Sequence, residues 1–418
     1  MIDVKSEMKI IVVSHLLAGP TRKNKQSGIF VKELLKAMSK TSKIKLIAPI
    51  DIIPSFNEIR VSTNSTAELF DHFRRTLFTK TREIYNPVYT HCIRYVSFPP
   101  KIYFDLLGAM QIAIRVIMKI GNNSEEYVLC HGHTLYPDGL ASILIGKFLR
   151  IKKFVTVHGS DVHSVRKKSF IFRMNQFTMN QADGIITVSN DLKKQVQSNY
   201  NIDSDKIRVI NNGVSPLFSS SSTRFNVRKN NNIPEKVILF LFVGNFMPVK
   251  DPLNMIEAFK KLSKNIKSAH LIMIGQGYLK PQLETMITNY ELNNQIHLIG
   301  SVHHEELAQY MKQSDVLCIS SVREGWPTII FESFSCGLPI VSTSVGGISE
   351  AIVDFENGIL VPAQNPEKLS QAMIKASSIK WDREKLIQYA MENSWENISR
   401  KYLKFYNDLM INKYYQKQ

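Results

Sequence analysis

The 418-residue chain contains 44% hydrophobic and 21% charged residues, a composition that excludes a mostly disordered protein. Its longest apolar run, residues 237–243, is far shorter than the ~20 residues of a membrane-spanning helix, so no such span is predicted. Most of the net charge of +17 lies in residues 1–215, where 31 Lys and Arg oppose 17 Asp and Glu, but without a recognition motif this charge is a poor reason to predict nucleic-acid binding.

Near-continuous apolar runs predict buried strands at intervals along the chain. In chain order they cover residues 10–13, 46–48, 185–188, 237–243, 271–274 and 316–319. Such runs are typical of parallel sheets that helices cover on both faces. The sequence therefore predicts an α/β protein, and its length suits two domains better than one.

Turn-forming and polar residues mark the predicted domain boundary. They cluster without apolar periodicity at residues 210–216, 219–222 and 229–232. We therefore predict a first domain over residues 1–215 and a second over 216–394. A closing helix, with Trp395 and Tyr402, is predicted within residues 395–418.

The first predicted strand leads to a glycine turn. Ser27-Gly-Ile-Phe-Val-Lys-Glu33 follows the strand at residues 10–13, so Gly28 is predicted to lie just before a helix. A single glycine in this place is a weak signal, because it is more often a plain turn than part of a ligand site.

The histidines of the segment His131-Gly-His-Thr-Leu-Tyr-Pro-Asp-Gly139 could form half of a zinc site. No third ligand follows at a matching spacing, and glycine turns surround the pair, so we expect no metal. The cysteines show no paired spacing, which favours a reducing, cytoplasmic compartment. They are Cys92, Cys130, Cys318 and Cys336.

A buried strand over residues 154–157 ends in the polar turn His158-Gly-Ser-Asp161. Ligands of α/β sheets collect at the carboxyl ends of strands, so His158 and Asp161 are predicted to point towards a ligand site. A lone histidine after a strand is more often structural, and Asp161 could instead cap the helix that follows.

Glu324 and Glu332 are separated by seven residues in the run Ser321–Ile340. Pro327 suits the first turn of a helix predicted over residues 328–336, which places Glu332 about one turn inside it. A helix start suits a diphosphate, and carboxylates beside it can accept hydrogen bonds from the hydroxyls of a sugar and a ribose. The alternative is that both glutamates are solvated surface charges.

The residues that follow repeat the same geometry. A strand over residues 338–343 leads to Ser344-Val-Gly-Gly-Ile-Ser-Glu350, a second glycine turn that opens a second helix. Here the sequence resembles the family 4 glycosyltransferases of group 1 type, in particular teichuronic-acid and capsule-type bacterial members. The resemblance implies retaining enzymes of the glycosyltransferase B (GT-B) fold, with two facing Rossmann-like domains and a deep cleft between them.

Other segments resemble the same family. Val237–Asp251 is similar to the first strand and loop of its nucleotide domain, with Lys250 at the position of the motif's lysine. Asn245 stands where the family often has an arginine. A subset resembling teichuronic-acid transferases also carries Gly-Asn in this place. Strands at residues 271–274 and 296–299 end in glycine turns that cradle the base in such enzymes.

The resemblance implies a role for each matching residue. Glu324, His158 and Lys250 are the expected catalytic residues, with Glu324 orienting the sugar and Lys250 holding the departing charge. Glu332 is expected to bind the ribose. The expected donor-binding set is Gly28, Asn245, Lys250, Gly275, Val302, Glu324, Gly325, Trp326, Pro327, Thr328 and Glu332. The expected acceptor side consists of His133, Tyr136 and Asp161.

The implied activity is metal-independent transfer of a sugar from a nucleoside-diphosphate sugar, UDP-sugars being favoured. No cofactor is expected, and the implied acceptor is a cell-surface polysaccharide or a lipid-linked glycan precursor. Two alternatives remain: a nucleotide-sugar epimerase of the same fold, and an inactive partner subunit, which Asn245 would permit.

The basic first domain also suggests a membrane partner. Residues 70–82 and 98–104 combine aromatic residues with cations, as suits the interface of an anionic membrane. We therefore expect a cytoplasmic protein that is peripheral to the inner face of the cell membrane. The alternative is that the cations reflect genomic composition and that the aromatic residues belong to the core.

Overall fold

The computed structural model describes residues 8–16, 28–51, 82–85, 88–95, 104–120, 126–163, 165–218 and 226–415. The chain divides into two compact units. The first contains residues 1–211 and 395–418, and the second contains residues 212–394. The predicted membrane segments at 70–82 and 98–104 lie outside the described residues, apart from Arg82 and Phe104.

The described strands of the first unit form one eight-stranded sheet in the order β3-β4-β2-β1-β5-β6-β7-β8. All neighbours are parallel except β3 and β4, and Ile10 of β1 lies opposite Ile44 of β2 and Leu129 of β5. The strands are β1 Met8–Val13, β2 Ser42–Asp51, β3 Arg82–Tyr85, β4 Val88–Tyr95, β5 Leu129–His133, β6 Lys152–Val157, β7 Gly184–Thr187 and β8 Ile207–Val209.

Helices cover both faces of this sheet. Their buried side chains form two clusters with the strands, one under α1 and the last helix and one under α2 and α3. The helices are α1 Ile29–Met38, α2 Phe104–Ile120, α3 Leu140–Leu149, α4 Ser160–His163, α5 Phe170–Gln181 and α6 Asn190–Tyr200. Short turns occupy Leu135–Gly139 and Ser204–Lys206.

The second unit contains a six-stranded, fully parallel sheet in the order β11-β10-β9-β12-β13-β14. Its strands are β9 Leu239–Val243, β10 His270–Ile274, β11 Ile296–Ile299, β12 Val316–Ile319, β13 Ile340–Thr343 and β14 Gly358–Val361. Two apolar clusters, one on each face, bury them.

The helices of the second unit alternate with its strands. They are α7 Val227–Asn230, α8 Pro252–Ser263, α9 Lys280–Asn289, α10 His304–Gln313, α11 Ile329–Ser335, α12 Ile348–Ala351, α13 Pro366–Ser378 and α14 Arg383–Glu392. Short turns lie at Pro216–Phe218 and Pro248–Lys250. The last helix, α15 Trp395–Tyr415, belongs to the first unit.

The predicted α/β class is confirmed, and each predicted strand is present. The strand predicted from residue 237 begins at Leu239, and the one predicted from residue 338 begins at Ile340. The helix predicted over residues 328–336 spans Ile329–Ser335. Among the described residues, no helix has both the length and the apolar character needed to cross a bilayer.

Candidate functional site

Lys250 and Glu324 meet at the carboxyl ends of two neighbouring strands of the second unit. Lys250 lies in the turn after β9 and Glu324 in the loop after β12, and these two strands pair directly. The Lys250 ammonium forms an ion pair with Glu324 Oε1, which also accepts a hydrogen bond of 2.7 Å from Ser321 Oγ. Two of the three predicted catalytic residues are therefore in contact.

Close backbone contacts hold the loop that carries Glu324. Gly346 has a φ of 51°, and a Cβ atom added there would lie 1.9 Å from the carbonyl oxygen of Glu324. Thr343 Oγ1 donates a hydrogen bond of 2.6 Å to the carbonyl oxygen of Ser321. The two predicted glycine turns therefore lie against each other, and the second turn supports the first.

The turn between Glu324 and α11 presents backbone donors. Thr328 is the residue before the helix, and its carbonyl accepts hydrogen bonds from the N–H groups of residues 331 and 332. Within the described part of the chain, the N–H groups of Gly325, Trp326 and Thr328 donate no hydrogen bond. Pro327 has no N–H group. Unused N–H groups beside a cation can bind the oxygens of a phosphate.

Glu332 lies in the first turn of α11 with 8% of its surface exposed. Burial raises the pKa of its carboxyl group to about 7, although a hydrogen bond from the Thr328 side chain acts in the opposite direction. A buried carboxylate without a cation is costly, because it has lost its hydration. The alternative of two solvated surface glutamates is therefore wrong for Glu332.

Trp326 gives the same turn an aromatic wall. Its ring stacks on Phe331 with 5.3 Å between the ring centroids. The indole Nε1–H is buried and has no hydrogen-bond partner among the described residues. A buried N–H without a partner is rare and leaves a donor available for a ligand.

Three further predicted donor-binding residues follow the carboxyl ends of adjacent strands. Asn245 follows β9 and is exposed, and Val302 follows β11 and packs against the core. Gly275 follows β10, and a Cβ atom there would lie 2.0 Å from the carbonyl oxygen of Gly244. Only glycine permits this approach of two loops, so the role of Gly275 in the fold is clear from its contacts.

In the first unit, the glycine turn and His158 come together. Gly28 adopts a left-handed conformation with a φ of 74° and precedes α1. The ring of Phe30, in the first turn of that helix, lies 4.6 Å from the ring of His158. The structure thus places Gly28 and His158 in one neighbourhood, at the carboxyl edge of the eight-stranded sheet.

His133 and His158 end neighbouring strands and stack on each other. His133 Nδ1 lies 3.3 Å from His158 Nε2, and the ring centroids are 5.5 Å apart. Burial lowers the pKa of His133 to about 3 and that of His158 well below its usual value. Both rings are therefore neutral at physiological pH. Among the described residues, the remaining nitrogens, His133 Nε2 and His158 Nδ1, have no partner.

His131 is engaged in the core. Its Nδ1 lies 2.6 Å from Tyr406 Oη and its Nε2 lies 2.8 Å from Thr156 Oγ1. With both nitrogens in hydrogen bonds, His131 is not available to pair with His133 around a metal ion. The described residues contain no group of three or more His, Cys, Asp or Glu that could hold one.

Asp161 serves the backbone of the first unit. Its carboxylate accepts hydrogen bonds from the N–H groups of Leu135 at 3.2 Å, His158 at 3.2 Å and Gly159 at 2.9 Å. Burial raises its pKa to about 6. Asp161 lies inside α4 and is not the residue that precedes it, so its carboxylate binds the backbone of Leu135 and of the turn before α4 instead of capping a following helix. Tyr136, in the turn Leu135–Gly139, is partly buried against the core.

A pair that the sequence did not reveal lies beside these histidines. Asp138, which is fully buried, accepts a hydrogen bond of 2.8 Å from His15 Nδ1 and bonds of 3.0 and 3.1 Å from the His15 backbone N–H. His15 follows β1, the neighbour of β5. In the sequence, the only sign of this pair is that Ser14 and His15 interrupt an apolar stretch.

Comparisons with known proteins show that this chain is similar to glycosyltransferases. The chain is 29% identical over 304 residues to an uncharacterized glycosyltransferase of Methanocaldococcus jannaschii, which covers 70% of this chain and 79% of that protein. It is 24% identical over 249 residues to the putative teichuronic acid biosynthesis glycosyltransferase TuaC of Bacillus subtilis, with 59% and 60% covered.

The fold matches solved structures. Anabaena HepE, solved in complex with UDP, has a TM-score of 0.70 and 16% identity, covering 96% of this chain and 100% of that chain. Family descriptions match both parts of the sequence: "Glycosyltransferase Family 4" matches residues 65–216, and "Glycosyl transferases group 1" matches residues 223–393. With its two Rossmann-like domains, this chain belongs to the family 4, group 1 glycosyltransferases of the GT-B fold.

Proposed function

We propose that this glycosyltransferase moves a sugar from a UDP-sugar to a cell-surface polysaccharide or a lipid-linked glycan precursor, with retention of the anomeric configuration. The observation that carries the proposal is the cluster of Lys250, Glu324 and Ser321 beside a turn with unused backbone N–H groups. The cluster combines a cation for a diphosphate with a carboxylate for hydroxyl groups.

The proposed reaction needs no base from the protein. The acceptor oxygen forms its bond to the anomeric carbon on the face from which the diphosphate leaves. The bond between that carbon and the phosphate oxygen breaks, and a phosphate oxygen takes the acceptor proton. Lys250 and the N–H groups of residues 325–328 stabilise the charge on the departing diphosphate. No step requires a metal ion or another cofactor.

Glu324 has a separate role in this scheme. Its second oxygen can accept hydrogen bonds from sugar hydroxyls, because Lys250 and Ser321 both bind Oε1. A carboxylate so placed also favours positive charge at the anomeric carbon as the bond to phosphate breaks. His158 is proposed as the third catalytic residue, because its neutral ring can accept or donate a hydrogen bond.

The choice of donor and acceptor draws on the relatives. HepE was solved with UDP, and TuaC is named for the biosynthesis of teichuronic acid. Glu332 is proposed to bind the ribose of the nucleotide. His133, Tyr136 and Asp161 are the proposed acceptor side, and we propose that the protein works at the inner face of the cell membrane, without a nucleic-acid partner.

An inactive partner subunit is the second candidate. Asn245 is exposed and supplies no second cation beside Lys250, so the leaving diphosphate has less positive charge than in relatives with arginine at this position. Such a subunit would bind a nucleotide weakly or not at all and would turn over no donor. We observe nothing that favours an epimerase.

The test combines binding and turnover. A thermal-shift panel of nucleoside diphosphates and their sugars, with a chelator present, should show stabilisation by UDP. Release of UDP from UDP-sugars should be lost in Glu324→Gln and retained in Glu284→Gln, a control at an exposed ion pair on α9. Stabilisation by UDP without turnover of any donor would support the inactive subunit, and silence across the panel would contradict the proposed transfer and also favour that subunit.

A further inference from the structure

The first unit carries a row of large apolar side chains that face solvent. On α2, Leu107, Met110, Ile114 and Met118 follow one another at spacings of three or four residues, which places them on one helix face. Their exposed fractions are 46, 39, 52 and 76%. The opposite face of the helix is buried in the core through Ala109, Ile112, Ala113, Val116 and Ile120. The helix is thus apolar on two sides, and the fold covers one of them.

Two neighbouring helices carry further exposed aromatic side chains. α3 packs against both α2 and α5. Phe148 of α3 is 67% exposed and Phe177 of α5 is 41% exposed. Lys147 Nζ lies 5.5 Å from the centroid of the Phe177 ring and connects these two helices. We call the set the apolar stripe: Leu107, Met110, Ile114, Met118, Phe148 and Phe177.

The charges on the helices of the apolar stripe are mainly positive. The three helices and the residue that ends α3 carry five cations, all exposed, and one acidic residue, Asp105. Exposed singly, such apolar side chains would need no explanation, but an aligned set flanked by cations indicates an interaction surface. The cations are Arg115, Lys119, Lys147, Arg150 and Arg173.

We propose that the apolar stripe binds the surface of an anionic lipid bilayer. The occupant follows from charge complementarity: cations beside the stripe attract anionic headgroups, while the apolar side chains enter the boundary between headgroups and acyl chains. Membrane binding would add a partner to the proposed transfer to a lipid-linked acceptor, and its biological meaning rests on that proposed transfer. A lipid acceptor would then reach the protein from the bilayer on which the first unit lies.

The first experiment is flotation of the full chain with vesicles, without nucleotide or acceptor. Vesicles of phosphatidylcholine with phosphatidylglycerol should bind the protein, and vesicles of phosphatidylcholine alone should bind it less. Binding should fall as salt rises, because salt screens the cations. No binding to the anionic vesicles at low salt would overturn the proposal.

Matched variants test the surface itself. Met118→Glu should weaken binding to the anionic vesicles about tenfold or more, since it replaces an inserted apolar group with an anion. Met391→Glu, at a methionine of the second unit that is 58% exposed, should leave binding unchanged. Equal effects of the two substitutions would contradict the assignment.

Two controls test whether self-association or misfolding accounts for a loss of vesicle binding. Light scattering that detects a dimer of the wild type, dissociated by Met118→Glu, would assign the stripe to a second copy of the chain instead. Circular dichroism and the thermal unfolding of Met118→Glu check that it folds. Since the vesicle assay contains no sugar nucleotide, its failure leaves the proposed transfer reaction standing, and failure of the nucleotide panel leaves vesicle binding standing.

Discussion

Replacing Glu332 with glutamine should stabilise the ligand-free protein and weaken nucleotide binding. Burial raises the pKa of this carboxyl group from its ordinary value of 4.5 to about 7. The folded chain therefore holds a proton that the unfolded chain releases, and stability falls as pH rises through this window. A shift of this size corresponds to about 3 kcal/mol above pH 7 and to less than about 0.5 kcal/mol at pH 4.5.

Glu332→Gln removes that pH-dependent cost, because an amide does not ionise. We expect the free energy of unfolding, measured with urea, to rise by about 2–3 kcal/mol at pH 8 and to change little at pH 4.5. Glu284→Gln, at an exposed position, should change neither value. A variant that is no more stable than wild type at pH 8 would refute the argument from burial.

A bound nucleotide should favour glutamate over glutamine at position 332. Ribose hydroxyls donate to a carboxylate more strongly than to an amide, so Glu332→Gln should lower the affinity for UDP by about 10- to 100-fold. Binding to the wild type should also release a proton near pH 6.5, since the ribose favours the ionised form. Calorimetry in two buffers of different ionisation enthalpy measures both quantities. Unchanged affinity would remove Glu332 from the ribose site, whatever the stability shows.

Other predictions concern the loops and the ion pairs. Lys250→Ala should lower the turnover of the donor by on the order of 100-fold, as measured by UDP release, and near-normal turnover would remove this residue from the mechanism. Gly346→Ala should destabilise the protein by about 1–3 kcal/mol in thermal unfolding, because an added methyl group would meet a carbonyl oxygen at 1.9 Å in a left-handed backbone. Gly300→Ala, where the nearest atom would be 3.7 Å away, is its control and should be near neutral. Asp138→Asn should cost about 2 kcal/mol in urea unfolding because it weakens the buried hydrogen bonds to His15, and a stability equal to wild type would show that the pair contributes nothing.

The sequence predicted the elements of the second unit better than the side-chain contacts of the first. Continuous apolar runs identify buried parallel strands, and the turns around Glu324 and Gly346 lie close together because each follows a strand of the same sheet. The contact of His15 with Asp138 joins residues 123 positions apart. It depends on β1 lying beside β5, and no local pattern reveals that neighbour relation.

The apolar stripe could not be predicted for a different reason. α2 is apolar on two sides, and hydrophobic periodicity does not distinguish the side that meets the sheet from the side that meets solvent. Asp161 shows the same limit for polar groups. Its position in a polar turn suited either a ligand or a cap of the following helix, and only the structure shows that its carboxylate binds three backbone N–H groups that lie before that helix.

The last helix has a consequence for how the protein is made. The second unit is one uninterrupted stretch, so all of it has left the ribosome when residue 394 emerges. The first unit must wait for α15, because Tyr402 and Tyr406 fill its core and Tyr406 closes the hydrogen bond to His131. Until α15 has emerged, the half of the protein that was made first has an open apolar face, while the half made second can already be folded. A chain that stops just before Trp395 would therefore lose the earlier unit and keep the later one.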